Sequence, residues 1–108
     1  MTPAALREQF DRFDRSNPLV WEQFVACTKW AIDRGLRHYS ADAVLHRVRW
    51  AVNIDTVNAG SIDGVPLKIN DHFSAFYARR WATAYPQWKD FFRMRASAAD
   101  QEELQLAS

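Results

Sequence analysis

Along the first half of the chain, apolar side chains recur at the three-to-four-residue interval of an α-helix, and each run opens on a start signal. Thr2-Pro3 offers an N-cap followed by proline at the first helical position, and Leu6, Phe10 and Phe13 then fall on one side of a short first helix. Asn17-Pro18 repeats the signal. Trp21, Phe24, Val25, Thr28, Ile32 and Gly35 share one face of a second helix, which Gly35 is placed to stop. Ser40 can cap a third helix, whose Ala41, Val44, Leu45, Val48 and Val52 form the clearest apolar stripe in the chain.

The period changes between Asn53 and Asn70. Asn58-Ala59-Gly60-Ser61 and Asp63-Gly64 are turn chemistry, while Val65, Leu67 and Ile69 alternate with Pro66, Lys68 and Asn70. This predicts a small β-hairpin, with Pro66 restricting its strand to an edge because proline has no amide donor. Asn70 or Asp71 then caps a fourth helix with Phe73, Phe76, Tyr77, Arg80, Trp81 and Ala84 on one side. Pro86 ends it and opens a last short helix carrying Trp88, Phe91 and Phe92. The expected fold is mainly α: about five helices with one small β-hairpin before helix 4, open to a winged-helix-like arrangement. Residues 1–95 are expected to form a single compact helical domain and residues 96–108 an acidic, flexible tail.

Composition narrows the class. The 108 residues suit one domain, and 48% hydrophobic with 25% charged residues is globular usage. Seven Phe, five Trp and three Tyr supply the large side chains that a small core needs. The single Cys27 excludes an internal disulfide, and no secretory signal pattern is present, so a reducing cytoplasm is the expected compartment. No apolar run approaches the ~18 residues of a membrane span, and no membrane partner is expected.

The net charge of +1 conceals an asymmetry. Residues 1–33 carry four Lys/Arg against five Asp/Glu, residues 34–95 ten against five, and residues 96–108 none against three. A basic centre of that kind suits a polyanion or an acidic protein surface, and equally an ordinary solvated surface.

Gly35, with Ala31 before it and Leu36, Ala41 and Val44 after it, matches the spacing of a helix-turn-helix. Arg34 stands where that motif usually has an apolar residue, and the stretch from Leu36 to Ser40 is longer than its tight turn. The third helix turns Asp42, His46, Arg49, Asn53 and Trp50 away from its aliphatic stripe, and Arg and Asn are the side chains that pair with guanine and adenine edges. Trp30 lies opposite the apolar stripe of the second helix, where it is either covered by the first helix or an interface anchor. Arg80, set among aromatic residues, needs a partner: it can snorkel past Phe76 and Tyr77, stack on Trp81, or pair with a carboxylate such as Asp71 or Asp33, whereas Arg79 points outward.

Catalytic signals are thin. His38, His46 and His72 lack metal-pair spacing, Cys27 has no cysteine partner, and three glycines build no phosphate-binding loop. No enzyme activity, cofactor or metal is expected.

From about Phe10 to Arg95 the ordered pattern Asn17-Pro18, Tyr39-Ser40-Ala41, Arg49-Trp50, Lys68-Ile69-Asn70 and Tyr77-Ala78-Arg79 resembles a group of small phage and prophage proteins of uncharacterised function. Asp71 and Trp81 depart from that group's usual Asn and aliphatic residue. The resemblance implies an origin in a mobile element and a compact, mostly helical fold.

Two functions compete. In the first, a nucleic-acid-binding protein meets duplex DNA through the third helix and the hairpin, using Arg37, His46, Arg47, Arg49, Asn53, Lys68 and Arg79. In the second, a protein-binding factor, such as a phage-encoded inhibitor of a host defence system or host enzyme, docks through Trp30 and Trp50.

Overall fold

A computed structural model describes residues 2–55, 61–62 and 65–92. Helix α1 (Pro3–Ser16) is capped by Thr2, whose Oγ1 accepts the Ala5 N–H at 3.1 Å. Helix α2 (Pro18–Asp33) follows after the single residue Asn17. Asn17 works backwards: its side-chain amide donates to the Phe13 carbonyl at 3.0 Å and closes α1, while Pro18, having no N–H, opens α2 without needing a cap. Gly35 stops α2 with φ +96°, a conformation that disfavours any other residue. Its N–H donates to the Ile32 carbonyl at 2.9 Å and the Leu36 N–H to the Ala31 carbonyl at 3.2 Å, the paired bonds of a Schellman ending.

Helix α3 (Ala41–Trp50) is capped by Ser40, whose Oγ accepts the Ala43 N–H at 3.2 Å, and runs on into one π-helical turn, Ala51–Asp55. Asn70 accepts the His72 N–H and opens a 3₁₀ turn, Asp71–Phe73, which leads into α4 (Ser74–Ala84). The hydroxyl of the buried Ser74 donates to Asp42 in the first turn of α3, tying the two helix starts together. A second 3₁₀ turn, Pro86–Trp88, follows α4.

The helices close around an aromatic core. Phe10 of α1 stacks on Phe76 of α4 at 4.9 Å and meets Tyr77 edge-on at 4.9 Å. Phe24 of α2 packs on Tyr77 at 5.4 Å and on Phe92 at 5.3 Å. From α3, Val44, Leu45 and Val48 are buried, and Val52 extends the stripe into the π turn.

Among the described residues the expected β-hairpin and winged-helix-like arrangement are not seen, and the fold they form is mainly helical, with four α-helices. In this stretch, strand-like pairing among the described residues is limited to two residues a side, Ser61–Ile62 against Val65–Pro66. The alternation from Val65 to Asn70 does not continue as a ladder, because the backbone of Leu67 is bonded by the side chain of Asn53 instead of by a strand. The fifth helix is only the Pro86–Trp88 turn.

The two arginines of α4 also exchange their expected settings. Arg79 is half-buried, and Arg80 is the exposed one. Arg80 reaches the edge of the core, where its Nη1 donates to Asp14 Oδ2 at 2.7 Å and its guanidinium lies 4.3 Å from the Trp21 ring centroid. Its partner is thus a carboxylate of α1, not Asp71 or Asp33.

Tyr77 is fully buried, and its hydroxyl finds no hydrogen-bond partner among the described residues. Burial, and then the nearby Asp14 carboxylate, raise the phenol's pKa, while Arg80 acts in the opposite direction. An unpaired buried hydroxyl costs about 1–3 kcal/mol, so Tyr77→Phe is expected to be neutral or to raise the melting temperature. The raised folded pKa means that this residue's stabilising contribution is intact below the free phenol range of about 10 and declines as pH rises beyond it. A wild type that loses stability above that pH more steeply than Tyr77→Phe would show this in paired thermal melts.

Candidate binding surface

Helix α3 and the π turn that continues it hold two of the side chains suited to reading a base edge, Arg49 and Asn53, and both are engaged within the fold. Asn53, half-buried in the π turn, accepts the Leu67 N–H at 2.8 Å through Oδ1. Its Nδ2 donates to the Arg49 carbonyl at 2.9 Å and, at a longer 3.4 Å, to the Leu67 carbonyl. A single side-chain amide therefore takes the place of a neighbouring strand for Leu67. One turn earlier, Arg49 donates from Nη2 to the Ile69 carbonyl at 2.8 Å and to the Asp71 carboxylate, and its Nη1 lies 2.8 Å from Nδ1 of the exposed His46. Together, Arg49 and Asn53 fasten residues 67–71 along α3. They bury Ile69 and set the start of α4.

The remaining basic candidates are spread over the molecule. Arg37 is exposed on the connection between α2 and α3, Arg47 is exposed on α3, Lys68 is exposed within the fastened segment, and Arg79 is half-buried on α4. The α2–α3 connection runs over residues 34–40, longer than the ~3–4-residue turn of a helix-turn-helix.

The aromatic candidates are presented outward. Trp30 is 62% exposed near the end of α2 and Trp50 is 57% exposed at the end of α3, with the exposed Ile54 one turn beyond Trp50. Leu36, Tyr39 and Trp88 are exposed as well. Leu36 and Tyr39 carried a legible but unused signal: they stand between the helix-stopping Gly35 and the cap Ser40, so no helical stripe is available to bury them. Trp88 precedes Phe91 and Phe92 in the same short segment, but only those two are buried. The 3₁₀ turn gives Trp88 a different facing, with its ring edge-on to Phe91 at a centroid distance of 6.5 Å.

Three segments meet at the end of the molecule that bears Leu36, Tyr39 and Trp88. The Tyr39 N–H donates to the Phe91 carbonyl at 3.1 Å, Tyr39 and Phe92 form a parallel bridge, and His38 Nδ1 lies 3.1 Å from the Asp90 carbonyl. The Lys29 ammonium sits 4.9 Å from the Tyr85 ring centroid, which brings the end of α2 against the end of α4. The Arg34 guanidinium lies over Trp30 at 4.7 Å.

Among the described residues no group of three or more His, Cys, Asp or Glu side chains could hold a metal ion, and no helix is long and apolar enough to cross a membrane. Residues 96–108, expected to be an acidic tail, lie outside the described residues. No family model matches the chain, and neither the curated proteins nor the solved structures contain a match to it.

Proposed function

We propose that the protein is a non-enzymatic docking module that binds another protein through its exposed tryptophans. The observation that carries this reading is the contrast between Trp30 and Trp50, both more than half exposed, and the groove-reading candidates Arg49 and Asn53, both bonded to the chain's own backbone. Exposed tryptophans are the side chains most enriched among residues that dominate protein interfaces, because desolvating one large ring on a partner yields more binding free energy than any rim charge. The partner proposed is a host protein met in the bacterial cytoplasm, which the module inhibits by occupancy; the resemblance to small phage and prophage proteins supports this only through the mobile-element origin that it implies.

The test is retention of partners from nuclease-treated bacterial lysate on immobilised wild type, Trp30→Ala and Trp50→Ala. A protein retained by the wild type is expected to be lost about tenfold or more in at least one variant whose melting temperature is unchanged. Retention indifferent to both substitutions would overturn the reading. So would a salt-sensitive mobility shift with duplex DNA that both variants preserve, since that would return the function to phosphate contacts.

A further inference from the structure

We infer that the end of the molecule carrying Trp30, Leu36, Tyr39 and Trp88 seats an acidic segment of a partner protein that also bears large apolar side chains. The inference rests on the docking reading and specifies where the partner binds and what chemistry it presents.

The surface is held in place before any partner arrives. Leu36 is fixed by the Schellman bond to Ala31, Tyr39 by its bond to Phe91, and the Trp88 backbone by the indole N–H of the buried Trp81, which donates to its carbonyl at 3.1 Å. Side chains presented on a pre-ordered backbone lose less conformational freedom on binding, which favours affinity.

Charge selects the occupant. Lys29, Arg34, Arg37 and Lys89 stand at this end against Asp33 and Asp90, an excess of two positive charges. None of these six residues forms an ion pair among the described residues. Lys29 and Arg34 lie over aromatic rings instead, and the guanidinium N–H donors of Arg34 make no hydrogen bond among the described residues. A guanidinium held over an indole without an ion-pair partner retains N–H donors that can take a carboxylate by two parallel bonds. Apolar rings between unpaired cations thus call for apolar side chains between carboxylates.

Two other occupants fit less well. A second copy of this chain, docked about a two-fold axis, would bring the same cations face to face. A single-stranded nucleic acid would find rings to stack on, but an excess of two charges releases few counterions, and Leu36 has no π-face.

Selection of a displayed random-peptide library on the immobilised full chain tests the proposal. Enriched peptides are expected to carry more Asp and Glu than Lys and Arg, together with Leu, Phe or Trp. The best of them, made synthetically, should bind about tenfold or more weakly to Trp30→Ala and to Arg34→Glu, and should weaken with added salt. Melting curves of the variants establish that they fold, and Arg34→Glu provides the reading should Trp30→Ala not. Enriched peptides without an acidic excess, or with affinity indifferent to both substitutions, would overturn the proposal. Peptides that depend on Trp50 alone would overturn it while leaving the docking reading intact. Enrichment of no peptide, with oligothymidylate binding instead, would overturn both.

Discussion

Trp81→Ala is expected to destabilise the protein by about 3–5 kcal/mol, the usual cost of truncating a fully buried tryptophan. Trp81 is 1% exposed; its ring stacks on Tyr85 at 4.3 Å and meets Phe92 edge-on at 6.2 Å. Alanine would leave a cavity where α4 meets the turn that follows it, and would also unpair the Trp88 carbonyl that the indole N–H now satisfies. Small domains have only about 5–15 kcal/mol of stability in total, so the variant should have a strongly lowered urea midpoint or be unfolded in buffer. Trp81→Phe, which retains part of the ring volume, should lie between the two. A midpoint close to wild type for Trp81→Ala would mean that the 3₁₀ turn is held by something other than this side chain.

The second large effect is expected at the clasp on α3. Asn53→Ala removes the acceptor for the Leu67 N–H and the amide that bridges Leu67 to Arg49, and should cost about 1–3 kcal/mol. Arg49→Ala should cost a similar amount. Most of it comes from the bond to the Ile69 carbonyl, because Asp71 is largely exposed and an exposed ion pair contributes little. Both side chains hold the same short segment, so once one is lost the other has less to hold, and the double variant should lose less than the two single variants together. Hydrogen exchange at the Leu67 amide supplies the local reading, with protection expected to fall in Asn53→Ala before global stability is exhausted. Wild-type stability in both single variants would show the clasp to be unimportant and would restore these side chains to a groove-reading role.

The helical half of the fold was legible in the sequence because its signals are local. Thr2 and Ser40 cap as their spacing predicts, Gly35 stops α2, and Val44, Leu45 and Val48 are buried as the 3.6-residue period requires. The segment after α3 departs from its expected hairpin for an equally physical reason. Alternating Val65, Leu67 and Ile69 is what a strand shows, and nothing within that segment indicates that an asparagine fourteen residues earlier will bind its backbone. Arg79 and Arg80 could not be sorted by period either. They are neighbours at the border of the apolar face, and the choice between them was decided by where α1 placed Asp14. In the candidate surface, the exposure of Trp30 could be read from its position opposite the α2 stripe. The contribution of Tyr39 and Trp88 could not, because it depends on residues 86–92 returning to the α2–α3 connection.

That return has a consequence for the order in which the fold assembles. Tyr39 and Phe91 are joined across the same 52-residue separation as His38 and Asp90. Closing so long a loop in a disordered chain costs on the order of 3–4 kcal/mol before any constant term, more than one or two backbone hydrogen bonds return. The latch therefore becomes favourable only after α3 and α4 have packed and shortened the effective span. A chain emerging from the ribosome holds residues 36–40 without their partner until Phe91 and Phe92 have appeared. The surface around Tyr39 and Trp88 is then a property of the finished fold: a partner that recognises it recognises completed molecules and passes over partly folded ones.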